Sequence, residues 1–67
     1  MREGYVKTIN LSQNYCFIAV LHGNDVFCHR SQLASSLAWD EQLVGRRVTC
    51  RLERDARGER AIAVQPA

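Results

Sequence analysis

Apolar and polar residues alternate along several short segments of this 67-residue chain, and this period of two most restricts its fold. The alternation is clearest in residues 48–54, where Val48, Cys50 and Leu52 are separated by polar residues. Successive side chains of a β-strand point to opposite faces, so such a segment predicts a strand with one buried and one solvated face. The chain is therefore predicted to be mainly β-structure.

Four further segments are predicted to be strands because they alternate in the same way or are rich in β-branched and aromatic residues. The five predicted strands cover residues 4–9, 15–21, 26–29, 48–54 and 60–64. The turn after the second strand is expected to use Gly23 or Asn24 for a positive φ, and the last turn to use Gly58. Five short strands favour a closed barrel, since closure removes the exposed edges that a small open sheet would leave.

The segment between the third and fourth strands lacks this alternation. Three of its apolar residues are compatible with one side of a helix that ends before Gly45: Leu33, Leu37 and Val44. Trp39 and a pair of serines fit an irregular connection equally well. We predict one helical turn near residues 31–33, followed by a loop.

Chain length restricts the function as well as the fold. Residues 1–67 are predicted to form a single domain, because the chain has no room for a second core. Such a domain buries only about 60% of the surface that its unfolded chain exposes, and it cannot enclose a deep substrate cavity. This argues against an enzyme and for a module that acts with its surface. The formal charge of +2 is compatible with a polyanionic partner but does not predict one.

The three cysteines, Cys16, Cys28 and Cys50, are predicted to be reduced and to face the core. An odd number of widely spaced cysteines does not fit a disulfide framework. There is no C-x-x-C pair, and adjacent strand residues such as Cys28 and His29 point to opposite faces, so we expect neither a zinc site nor a Cys–His catalytic pair.

The sequence has no apolar run of about 20 residues and no charged start followed by a long apolar stretch. We therefore expect a cytoplasmic protein that is complete from Met1 and does not enter a membrane.

Four rings fall on one face of the second and third predicted strands: Tyr15, Phe17, Phe27 and His29. They point outward if the opposite face fills the core, with Val6, Ile18, Val26, Val48, Leu52 and Val64. Outward rings are suited to stacking flat nucleobases, and Lys7 and Arg30 lie near enough in the strand order to contact phosphates. The reverse assignment, with the rings in the core, is equally compatible with alternation alone.

Several motifs resemble those of the bacterial cold-shock proteins. The chain has GYVK at residues 4–7, NYCFI at 14–18 and DVFCHRS at 25–31, where that family has G-x-V-K-W-F-N, K-G-F-G-F-I and D-V-F-V-H-F-S. The resemblance implies an all-β, five-stranded antiparallel OB-fold barrel with outward rings that stack the bases of single-stranded RNA or DNA. Binding only single strands would open a passive route to RNA chaperone activity, which the sequence leaves undecided. We expect no catalytic residue, metal, cofactor or small-molecule substrate.

The resemblance implies a nucleic-acid-binding surface made of Lys7, Thr8, Tyr15, Phe17, Phe27, His29, Arg30 and Trp39. Thr8 and Arg30 stand where the family has Trp and Phe, and Asn14 and Cys16 replace two glycines. Trp39 is expected to substitute for an aromatic residue of the family's long loop. The surface should therefore be smaller and more cationic than usual, with weaker or differently tuned binding. The alternative is a protein-interaction OB module that has lost nucleic-acid binding.

Overall fold

The computed structural model describes residues 1–67 and has a closed β-barrel with the strand order β1-β2-β3-β5-β4. The strands are β1 (Arg2–Asn10), β2 (Tyr15–Val20), β3 (Asp25–His29), β4 (Arg47–Asp55) and β5 (Gly58–Pro66). Each contains most or all of a segment that was predicted to be a strand. The predicted all-β class and five-stranded barrel are confirmed. No helix is long and apolar enough to span a membrane.

Neighbouring strands are antiparallel except at one seam of the barrel. β3 and β5 run parallel there, and Phe27 and Arg60 are their register pair. The prediction of an antiparallel barrel did not include this seam, because a parallel pair is joined by a long crossover rather than by a local turn. The seam places a cationic residue of β5 directly beside an aromatic residue of β3.

The connection between β3 and β4 contains two short 3₁₀ helices, Arg30–Gln32 and Glu41–Leu43. The first agrees with the predicted helical turn, whereas the second was not predicted. Asp40 caps the second, since its carboxylate accepts a hydrogen bond from the Gln42 N–H at 2.9 Å. The apolar residues of this connection do not form the longer helix that was the alternative.

The φ angles of two turns between strands test the predicted turn residues. Gly58 has a φ of 120° in the turn between β4 and β5, as predicted. In the turn between β2 and β3 the left-handed residue is His22, with a φ of 58°, so the prediction of Gly23 or Asn24 was wrong. The turn enters the left-handed region one position earlier than expected, at a residue type that tolerates it better than most.

The barrel interior is filled by inward apolar side chains of all five strands. Val6, Ile18, Val26, Val48 and Val64 are buried as predicted. Leu52 is only half-buried and packs against this core from its edge. Leu37 and Leu43 of the β3–β4 connection, neither of which was predicted to lie in the core, complete the interior.

Cys16, Cys28 and Cys50 all point into the barrel and are buried, as predicted. Cys16 and Cys28 are cross-strand partners on β2 and β3. The contact with Cys16, together with burial, raises the pKa of Cys28, and burial also raises the pKa of Cys50. The same contact lowers the pKa of Cys16, but this thiol is as fully enclosed as the others.

We predict that all three thiols react slowly in the folded protein, because a reagent can reach them only when the barrel opens. Labelling with a thiol reagent should be far slower under native conditions than in denaturant, and mass spectrometry should detect no disulfide-linked form. A cysteine labelled equally fast in both conditions would contradict its burial.

Candidate nucleic-acid interface

Three aromatic rings pack against one another on the outer face of β2 and β3. The centroid distances are 5.4 Å for Tyr15–Phe27, 5.9 Å for Tyr15–Phe17 and 6.1 Å for Phe17–Phe27. Phe17 and Phe27 remain 36% and 38% exposed, so their faces are open to solvent. We call Tyr15, Phe17 and Phe27 the ring platform. Its position settles the ambiguity left by alternation, since the rings lie outside the barrel.

The pairing of β2 with β3 explains why these rings meet. Phe17 is the cross-strand partner of Phe27, and Tyr15 is the partner of His29. The Arg30 N–H donates to the Asn14 carbonyl at 2.9 Å, which makes the Tyr15–His29 rung and the equivalent Phe17–Phe27 rung non-hydrogen-bonded pairs. Side chains approach most closely in such pairs, so the register itself brings the rings into contact.

Local hydrogen bonds orient the side chains of Tyr15 and His29. The Asn10 Nδ2 group donates to the Tyr15 hydroxyl at 3.3 Å, while the Asn10 Oδ1 atom accepts from the Ser12 hydroxyl and the Gln13 N–H. The His29 Nδ1 atom accepts from the Ser31 N–H at 3.1 Å. Because Nδ1 accepts this hydrogen bond, Nε2 is the ring nitrogen left to donate to a ligand.

Lys7 and Thr8 lie at the β1 side of the platform. The register of β1 with β2 shifts between Val6 and Thr8, so Lys7 is the extra residue of a bulge and Thr8 faces Phe17. Thr8 is exposed beside the platform and adds no ring to it. The Lys7 Nζ atom lies 2.7 Å from the Asp25 Oδ2 atom, and this hydrogen bond raises the pKa of Lys7.

Arg30 and Trp39 form a separate pair in the β3–β4 connection. The Arg30 guanidinium lies 5.8 Å from the centroid of the Trp39 ring, within the range of a cation–π contact. Trp39 is half-buried and packs against the core, and its buried Nε1 atom has no hydrogen-bond partner. Its N–H therefore faces the interior. The sequence placed both residues in the site but did not predict that they contact each other.

A groove of about 310 Å³ lies between Phe27 and the turn that joins β4 to β5. Arg60 lines it and is held by Glu53, at 3.1 Å from its Nε atom and 2.5 Å from its Nη2 atom. Arg57 also lines the groove and forms no ion pair. Neither arginine was predicted as a site residue, because only the parallel seam brings β5 next to Phe27.

The sequence profile of the family described as "'Cold-shock' DNA-binding domain" matches residues 2–67. This chain belongs to the cold-shock domain family. Cold shock protein CspC of Bacillus subtilis (strain 168) is 38% identical to this cold-shock domain over 69 aligned residues, covering 100% of both chains. The solved structure of drosophila Unr CSD456 is similar in fold, with a TM-score of 0.79 and 13% identity over 98% of this chain. The match corresponds to 26% of that longer chain.

The predicted site residues of this cold-shock domain fall into three groups. Tyr15, Phe17, Phe27 and His29 share the outer face of β2 and β3. Lys7 and Thr8 flank them on β1, and Arg30 with Trp39 extends the surface beyond the end of β3. Asp25, Arg57 and Arg60 adjoin these groups and were missed. Asp25 belongs to the DVFCHRS motif that resembles the family, but it was not predicted to be a site residue.

Proposed function

We propose that this cold-shock domain binds single-stranded RNA or DNA by stacking unpaired bases on the ring platform. The observation that carries the proposal is the platform itself, in which Phe17 and Phe27 are more than one-third exposed on the outer face of the barrel. Exposure of large apolar rings to water does not stabilise the fold. A base that stacks on such a ring contributes about 1–3 kcal/mol to the binding free energy, as judged by alanine substitution. Rings that contact one another at fixed angles are already arranged before a ligand arrives.

The charges around the platform support a phosphate-bearing ligand. Lys7 lies on the β1 side of the platform, Arg30 lies beyond the end of β3, and Arg57 and Arg60 line the groove beside Phe27. Lys7 and Arg60 have carboxylate partners, but every side chain in these pairs is at least 41% exposed. Exposed ion pairs contribute only about 0–1 kcal/mol, so a phosphate can replace the carboxylate at little cost.

Binding of this kind supports passive action on structured RNA. A protein that binds only unpaired strands shifts a pairing equilibrium toward the open form by mass action, without ATP. The alternative is a protein-interaction module, and it is suggested by Thr8 and Arg30, which stand where the family has aromatic residues. The intact ring platform favours nucleic acid.

The first test compares a single strand with a duplex of the same length. We expect preferential binding of single strands of about 4–16 nucleotides, because base pairs hide the faces that would stack on Phe17 and Phe27. Fluorescence polarisation with a labelled pyrimidine-rich strand and its duplex measures the difference. Equal affinities would rule out stacking and leave only nonspecific attraction of charge, and binding of neither would favour a protein partner.

Two substitutions that restore the family's rings should have different effects on salt dependence. Thr8→Trp should raise affinity by about 1–3 kcal/mol, since position 8 faces Phe17, and it should leave the salt slope unchanged. Arg30→Phe should flatten the slope of log affinity against log salt by about 0.7, the value for one phosphate contact to a single strand. Titrations at several salt concentrations measure both quantities.

Arg51→Phe is the matched control for the charge term. It removes a cation from β4, which neighbours neither β2 nor β3 in the barrel, so the slope should change less than with Arg30→Phe. If Thr8→Trp leaves affinity unchanged and Arg30→Phe leaves the slope unchanged, neither position contacts the nucleic acid.

A further inference from the structure

Tyr5 is an exposed aromatic residue that lies outside the ring platform. On β1 it is the cross-strand partner of Ala19 on β2 and of Arg47 on β4. It is 40% exposed, as open as Phe17 and Phe27 in the platform. Its partner on β2 offers only a methyl group for packing, so the ring is not enclosed from that side.

The outward residues of the barrel form rows across the strands, and Tyr5 belongs to the row next to the platform. One row consists of the successive register partners Thr8, Phe17, Phe27 and Arg60. The adjacent outward row consists of Tyr5, Ala19 and Asp25. Phe17 and Ala19 are alternate residues of β2, and alternate residues of a strand are about 6.6 Å apart. The row that contains Tyr5 and Ala19 therefore lies beside the row that contains Phe17. Tyr5 thus continues the aromatic surface by one row.

Cations lie on both sides of Tyr5. Lys7 occupies the bulge between the two rows, and its Nζ atom lies 2.7 Å from Asp25 in the Tyr5 row. Lys7 is two residues from Tyr5 along β1, and both side chains are exposed on the outside of the barrel. Arg47, on the other side, lies 3.2 Å from Glu3. Both ion pairs are exposed, so a phosphate can compete for either cation.

We infer that Tyr5 is a further base-stacking site, one row beyond the ring platform, and that Lys7 binds the phosphate between the two. The ligand is a single strand long enough to cross both rows. This inference rests on the proposed function, because a strand that does not stack on the platform has no reason to reach Tyr5. It predicts an effect that the platform alone would not produce: Tyr5 should contribute to affinity only above a threshold length of the oligonucleotide.

The experiment measures affinity against oligonucleotide length for the wild type and Tyr5→Thr. Oligothymidylates of increasing length, labelled in turn at either end, are titrated by fluorescence polarisation. The variant should match the wild type on the shortest strands that bind, which fill only the platform, and should bind the longest strands about fivefold more weakly. Tyr5→Phe keeps the ring and should match the wild type at every length. Leu21→Thr, at a similarly exposed position, is the control for loss of surface apolar area.

Photo-cross-linking gives a second readout that does not depend on affinity. A strand carrying 5-iodouridine at one end should cross-link to the peptide that contains Tyr5, and Tyr5→Thr should lose this product. If the wild type binds no strand of any length, the proposed function itself fails. If the wild type binds but Tyr5→Thr matches it at every length, or loses affinity equally on the shortest strands, Tyr5 is not a separate site and the inference is overturned.

Discussion

Replacing Phe17 by Ala is expected to weaken single-strand binding by about 1–3 kcal/mol while the barrel stays folded, and Phe27→Ala should act in the same way. Both rings pack on the outside of the sheet, so their removal opens no cavity in the core. The same truncation in a packed core would reduce the free energy of unfolding by about 3–5 kcal/mol. Oligonucleotide titration and denaturant unfolding, carried out on each variant, separate the two effects.

Ile18 supplies the matched control, because it follows Phe17 on the same strand and is fully buried. Ile18→Val should reduce the free energy of unfolding by about 0.5–1.5 kcal/mol and leave the affinity of the folded fraction unchanged. If Phe17→Ala instead unfolds the protein, and its folded fraction binds as tightly as the wild type, the assignment of Phe17 to the binding face is wrong.

Gly4→Ala is expected to destabilise the domain by about 3 kcal/mol, the upper end of the usual cost of overpacking. A Cβ atom at this position would lie 2.4 Å from the Ala19 carbonyl oxygen and 3.1 Å from the Val20 Cα atom. These are backbone atoms of the paired strand, so no side chain can rotate to relieve the contact. For a domain of this size, 3 kcal/mol corresponds to a decrease in Tm of about 12–24 °C. Thermal unfolding followed by circular dichroism measures it.

Gly23→Ala is the control for the same added methyl group. A Cβ atom there would lie 3.0 Å from the end of the flexible Arg2 side chain and 3.4 Å from a Val20 methyl group. The Arg2 side chain can move, so the Tm should change by only a few degrees. Similar Tm values for the two variants would show that β1 and β2 separate easily at Gly4.

Features that depend on near neighbours in the chain were accessible from the sequence. Alternation and residue type located all five strands, and alternation divided the residues of each strand between two faces, because a period of two is a local property. It left open which face of β2 was outside, since aromatic and aliphatic residues are both suited to a core. The resemblance to the cold-shock proteins was needed to place Phe17 on the outer face.

Contacts between residues far apart in the chain were not accessible. Phe27 meets Arg60 only because β5 returns to the barrel beside β3. Lys7 was predicted to contact phosphates, but its ion pair with Asp25, which lies 18 residues later and reaches it across β2, was not predicted. The second 3₁₀ helix, Glu41–Leu43, has a capping aspartate but is too short to produce a helical period. The contacts of Phe27 with Arg60 and of Lys7 with Asp25 form only when the strands of the barrel have come together.

The parallel seam between β3 and β5 also affects how the barrel fluctuates. Its strand-to-strand register is the single pair Phe27–Arg60, continued only by the bridge between Leu33 and Val64, whereas the antiparallel seams pair over longer stretches. Amide protons along this seam should therefore exchange with solvent through the lowest-energy opening of the barrel. A nucleic-acid strand bound across Phe27 and Arg60 would hold β3 and β5 together, so occupancy of the site and closure of the barrel would be linked. At a ligand concentration of 100 times Kd, this linkage adds about 2.7 kcal/mol to the free energy of opening.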